Sequence, residues 1–121
     1  MEEQLIKFQT AKLAKEKGFD ILCGERYMPN GTIQTSTYKN HNNTEKRYSV
    51  PTQSLLQKWF REKHNIHIIV ISNSKNQYFV DCRFSNQRVD NDYDLVLLTG
   101  LVYETYEEAL EVGLIEALKL I

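Results

Sequence analysis

Ile66-His67-Ile68-Ile69-Val70-Ile71, then Asn73-Ser74-Lys75-Asn76, then Tyr78-Phe79-Val80-Asp81-Cys82-Arg83-Phe84 is the stretch that decides the fold. The first run is β-branched apart from His67 and reads as a strand. The four polar residues after it make a turn. Over residues 77–84, Tyr78, Val80, Cys82 and Phe84 fall on one face, which predicts a half-buried antiparallel strand. A sheet with one apolar face needs helices to cover it.

Working outward, the chain supplies those helices. Upstream, Pro51 and Thr52 open a helix over about Gln53–Lys63, with Leu55, Leu56, Trp59 and Phe60 as its buried stripe. Asn65 can take the left-handed position that ends it. Downstream, Thr105 is an N-cap for Tyr106-Glu107-Glu108-Ala109-Leu110-Glu111, and Glu108 stands at the capping-box position. Ala109, Leu110, Gly113, Leu114, Ala117 and Ile121 recur at helical spacing. Gly113 lies inside that face, where close packing against another element explains a residue that weakens helices.

Before these elements, Leu5, Ile6, Phe8, Leu13 and Ala14 predict a helix over 5–17, stopped by Gly18. Residues 21–27 and 32–38 flank Met28-Pro29-Asn30-Gly31 and read as a β-hairpin. Residues 39–48 are polar and aperiodic, and predict a mobile surface loop. Ser85–Asp92 reads as a second polar loop. Tyr93–Thr99 reads as a third strand, with a bend at Gly100. The order is α-β-β-α-β-β-β-α. The fold class is therefore α+β, an antiparallel sheet with helices packed mainly on one face.

At 121 residues the chain is expected to be a single globular domain, 1–121. No apolar run is long enough to cross a membrane, and the acidic start Met1-Glu2-Glu3-Gln4 does not suit a secretory signal. A cytoplasmic location is expected, with Cys23 and Cys82 as free, buried thiols. Net charge is −1 but uneven. Residues 39–64 hold six cations against two anions, a net of +4, and residues 90–121 hold eight anions against one cation, a net of −7. The basic middle suits an anion or an acidic partner, and the opposite ends suit self-association into a homo-oligomer. Two solvated faces of opposite sign give the same pattern.

Motifs for chemistry are sparse. His64-Asn65-Ile66-His67 spans a helix end and a strand start without the spacing of a zinc motif, so no metal and no cofactor is expected. His64 reads more simply as a cation capping helix carbonyls. Asp90, Asp92 and Asp94 alternate, but the glycine and terminal glutamate of a calcium loop are missing. A Cys82 and His67 pair across neighbouring strands would allow a small enzyme with a nucleophilic thiol. Arginines and aromatics together also suit nucleic-acid binding, although the net charge lacks a strong basic footprint. A small anionic ligand needs only two or three such groups in one pocket. The candidate ligand-binding residues are Arg26, Tyr27, Arg47, Tyr48, Arg83 and Arg88.

Three segments carry a resemblance. They are Thr10-Ala11-Lys12-Leu13-Ala14-Lys15-Glu16-Lys17-Gly18-Phe19-Asp20, Pro51 to His67, and Thr105 to Glu111 with the closing Glu116-Ala117-Leu118-Lys119-Leu120-Ile121. Together they resemble short uncharacterised proteins encoded by phages and mobile elements of Bacteroides-type gut bacteria. The resemblance covers about half of the chain and brings no activity or site residues with it. It implies a context. Small accessory proteins of that kind often act without catalysis, by binding and inhibiting a host defence protein or by sequestering a nucleotide-like host signal. The alternatives at this stage are a nucleic-acid-binding regulator and the small His/Cys enzyme.

Overall fold

A computed structural model describes residues 3–85, 93–97 and 101–121, and for 84, 85 and 93–97 the backbone alone. The class is α+β, with antiparallel pairing throughout the described strands. One feature differs from the sequence reading: the described strands form two three-stranded sheets rather than one. The chain groups into two compact units, residues 1–56 and 57–121.

In the first unit, α1 spans Phe8–Glu16 and buries Thr10, Ala11 and Ala14. Gly18 ends it at φ +90°. The Phe19 N–H donates to the Ala14 carbonyl and the Gly18 N–H to the Lys15 carbonyl, the two bonds of a Schellman stop. The predicted first turn is not helical. Leu5 bridges Thr52, and the Ile6 N–H donates to the Pro51 carbonyl at 3.1 Å. Backbone pairing with residues 51–53 wins there because no capping side chain starts a helix before Leu5.

The hairpin forms as expected. β1 (Cys23–Tyr27) pairs with β2 (Ile33–Lys39), and Gly31 takes φ +88° in the turn. The ladder is interrupted by a bulge between the Cys23 and Glu25 pairs. The stretch predicted as a mobile loop is instead pinned at several points. His41–Asn43 form one 3₁₀ turn, and β3 (Tyr48–Ser49) adds to the far side of β1. His41 is 1% exposed, and its Nε2 lies 2.9 Å from the Cys23 carbonyl. Asn42 donates to the Phe19 carbonyl at 2.8 Å and accepts from the Ser49 N–H at 2.9 Å. Polar side chains do the anchoring here, so no hydrophobic period marks the segment.

α2 spans Gln53–Trp59 and widens into a π-turn over Phe60–His64, ended by Asn65 at φ +55° as expected. In the second unit, β4 (Ile66–Ser72), β5 (Tyr78–Ser85) and β6 (Tyr93–Leu97) make a sheet with β5 in the middle. Ile66, Ile68, Val80 and Cys82 are buried. α3 (Tyr106–Leu120) lies against β4 and β5. The Thr105 hydroxyl accepts from the Glu108 N–H at 3.1 Å, so the predicted cap is present. Leu118 rather than Ile121 completes the buried face, because the helix ends at Leu120 and Ile121 is only half-buried. The predicted second loop, from residue 86 onward, and the bend at Gly100 fall on residues 86–92 and 98–100, which lie outside the described residues.

Two histidines are expected to make folding pH-sensitive. Burial pushes both His41 and His64 below their ordinary value of 6.5. The Arg26 and Lys39 charges near His41 and the Lys63 charge near His64 act in the same direction, while hydrogen bonds of His41 to the Cys23 and Thr37 backbone partly oppose it. The unfolded chain then binds protons that the folded chain refuses. Their contribution to stability is complete above pH 6.5 and is lost as the pH falls from 6.5 toward the folded values. Thermal unfolding between about pH 8 and pH 5 is expected to show a plateau, then a falling midpoint below about 6.5. A midpoint that rises on acidification in that window would refute this assignment.

Candidate functional site

One hollow of the first unit lies between α1 and the segment before β3. α1 turns Lys12, Lys15 and Glu16 to one side, since residues three and four apart share a helix face. Thr44 to Arg47 form a turn, with the Arg47 N–H donating to the Thr44 carbonyl and Lys46 at φ +69°. Lys15 ties the two together. Its Nζ donates to the Thr44 carbonyl at 2.8 Å and to the Arg47 carbonyl at 2.9 Å. The same ammonium sits 5.0 Å from the centre of the Tyr48 ring. Tyr48 in turn packs edge-on against Phe8 at 5.7 Å, and Lys12 stands over the other ring of this pair, 5.2 Å from the Phe8 centre.

The resulting open hollow has a volume of about 640 Å³ and is lined by Lys12, Lys15, Glu16, Glu45, Lys46 and Tyr48. That volume lies within the range of small-molecule sites, roughly 300–1,000 Å³. Three ammonium groups face two carboxylates. Yet among the described residues neither carboxylate is within ion-pair or hydrogen-bond distance of a partner, and the Lys46 ammonium has none either. Charges of both signs therefore line one wall without neutralising each other. Such a wall can receive a ligand that carries an anion, hydrogen-bond donors and a flat ring. The Lys12 and Lys46 ammoniums suit phosphate oxygens and the carboxylates suit hydroxyl or amino hydrogens, while the Tyr48 ring, with the Lys15 ammonium over it, adds aromatic surface to the wall.

The structure distributes the predicted site residues unevenly. Tyr48 lines the hollow, and Arg47 borders it through its backbone, while its guanidinium reaches the Lys46 carbonyl at 3.2 Å. Tyr27 belongs to the core. It is 7% exposed, its hydroxyl donates to the Ile6 carbonyl at 2.7 Å, and its ring packs on Phe8 at 5.2 Å. A buried, satisfied tyrosine is not a surface ligand group, which corrects that assignment. Arg26 follows Tyr27's alternation to the opposite face of β1, where its Nε donates to the Gln34 Oε1 at 2.9 Å. Arg83 is exposed on β5 of the other unit, and Arg88 lies outside the described residues. The sequence reading missed Lys12, Lys15 and Lys46. The signal available was the Phe8, Lys12, Lys15, Glu16 spacing, which places a charged strip on α1 beside an aromatic.

The Cys82 and His67 pairing fails. Cys82 stands opposite Ile68 and His67 opposite Arg83, so the two side chains project from opposite faces of the sheet. Cys82 is fully buried, and burial pushes its thiol up to about 11. Cys23 is pushed up to about 11 by burial and by the Glu25 charge. Both are therefore protonated thiols at neutral pH, as expected of core cysteines. His64 is not the predicted cationic cap. Its ring packs edge-on against Trp59 at 4.7 Å, and desolvation favours the neutral form. Among the described residues no cluster of three or more metal-ligating side chains occurs, and no helix is long and apolar enough to cross a membrane. No protein-family model, curated protein or solved structure matches the chain.

Proposed function

We propose that this chain is a non-enzymatic binding protein that captures a small anionic, nucleotide-like ligand in the hollow between α1 and β3. One observation carries the reading: Glu16, Glu45 and Lys46, which have no ion-pair or hydrogen-bond partner among the described residues, line a tyrosine-walled hollow beside the Lys12 ammonium, itself over the Phe8 ring. Exposed ion pairs contribute little to stability, about 0–1 kcal/mol, so a charged wall of this kind needs no structural reason to pair and is available to a ligand. The resemblance to phage and mobile-element proteins supplies the biological side of the proposal. The bound species would be a host defence signal, sequestered in the bacterial cytoplasm.

The test is native mass spectrometry of the protein purified from infected, defence-active host cells, set against the same sample denatured. The expected result is an added small-molecule mass that disappears on denaturation and whose fragments include phosphate. A bare protein mass under conditions that preserve known nucleotide complexes would overturn the small-ligand reading and favour a protein partner.

A further inference from the structure

We infer that β2 pairs edge to edge with β2 of a second copy of this chain, antiparallel across a twofold axis at Thr35. β2 is the outer strand of its sheet, and six of its seven residues are exposed, with Ser36 half-buried. Ile33 is 46% exposed and Tyr38 69% exposed. Both faces of the strand and one of its edges are therefore open to solvent.

The direction of the free backbone groups follows from the ladder. The Glu25 carbonyl accepts from the Val50 N–H at 3.0 Å, so Glu25 turns its backbone groups toward β3. In an antiparallel ladder the N–H and C=O of one residue point to the same side. Thr35, the partner of Glu25, therefore turns its N–H and C=O away from β1. Ile33, two residues earlier in the same regular stretch, does likewise. Among the described residues these donors and acceptors on the strand edge have no partner, the pattern that recruits another strand.

Edges that must stay single are usually blunted by lysine, proline or a very short strand. β2 carries one charge, Lys39 at its last position; Ile33-Gln34-Thr35-Ser36-Thr37-Tyr38 before it has no charge, no proline and no glycine, and four of these six residues are β-branched or aromatic. The second copy is the occupant that this neutrality favours. Pairing centred on Thr35 sets Thr35 against Thr35 and Gln34 against Ser36, within the regular stretch and with no like charges opposed. Cross-strand Thr pairs are favourable, and an interface that meets itself closes as a twofold dimer. A charged peptide would find nothing on this edge to recognise. One strand edge is a small interface, so the dimer should dissociate in the micromolar range.

Sedimentation velocity on the full chain, from about 5 to about 500 µM, tests the inference. The wild type should shift from monomer to dimer over that range. Thr35→Pro removes the outward N–H while leaving the bonds to β1 in place, and should weaken dimerisation at least about 10-fold with an unchanged circular dichroism spectrum. Thr35→Lys opposes two charges at the axis and should do the same, which keeps the test decisive if the proline variant fails to fold. A wild type that stays monomeric throughout overturns the inference. So does a dimer that folded Thr35→Pro or Thr35→Lys protein retains at wild-type affinity.

Discussion

Gly113→Ala is expected to lower the stability of the second unit by about 2 kcal/mol, although alanine is the better helix former. A Cβ at this position would lie 2.5 Å from Cγ2 of Val80 and 2.8 Å from Cγ2 of Ile68. Ordinary carbon contacts are roughly 3.5–4.0 Å. Val80 and Ile68 are both β-branched, held at χ1 and seated on paired strands, so neither methyl can swing aside. The helix would have to lift away from the sheet over Ile68, Val80 and their buried neighbours. Overpacking of this sort costs about 1–3 kcal/mol, and two simultaneous clashes place it at the upper end. The helix-propensity gain returns only about 1 kcal/mol. A net loss near 2 kcal/mol corresponds to a thermal midpoint roughly 10 °C lower for a unit of this size. Chemical denaturation of the single and double variants measures it. Val80→Ala in the Gly113→Ala background removes the closer methyl, so the two costs should fall well short of additive. If Gly113→Ala matches or exceeds the wild type in stability, α3 does not sit as close to the sheet as described.

That glycine also shows what the sequence could reveal. Its place inside an apolar helical stripe signalled a close approach, and the structure supplies the two methyl groups responsible. The strands at Ile66 and Tyr78, the hairpin at Gly31, the stop at Asn65 and the cap at Thr105 were legible for the same reason. Each is a local rule that reads a few neighbouring residues. The segment after Lys39 was not legible. His41, Asn42 and Ser49 hold it through hydrogen bonds to residues up to 23 positions away, and no periodicity encodes such bonds. The division into two sheets was hidden because strand patterns specify which face is buried but not which strands are neighbours. Tyr27 and Tyr48 illustrate the limit for the site. They stand directly opposite each other on β1 and β3 and both touch Phe8, yet one is core and the other lines the hollow. Composition counts them alike. What separates them is the Ile6 carbonyl above Tyr27 and the Lys15 ammonium above Tyr48, and both arrive through tertiary structure.

Reversing the charge of Lys12 and Lys46 together should abolish ligand capture while leaving the fold intact. A lysine bond to a phosphate oxygen is a hydrogen bond to a charged group, worth about 1.5–3 kcal/mol. Losing two costs about 3–6 kcal/mol, which is at least 100-fold in affinity, before any repulsion from the new carboxylates is counted. The fold should survive because neither ammonium holds the backbone. Lys12 rests over the Phe8 ring, and Lys46 projects from an exposed turn. Lys15 is the contrasting case. Its two bonds to the Thr44 and Arg47 carbonyls shape the hollow, so Lys15→Ala should reduce affinity and thermal stability together. Calorimetric titration with adenine and guanine mono- and dinucleotides, run on wild type and on Lys12→Glu/Lys46→Glu, separates these roles. Salt dependence adds a second reading from the same titrations. Two or three phosphate contacts give a shallow fall of affinity with salt, whereas a nucleic-acid strand lying across many cations gives a steep one. Full affinity in the doubly reversed variant would remove the hollow as the binding site. A steep salt slope with long single strands, and no binding of mononucleotides, would instead make the chain a nucleic-acid-binding regulator.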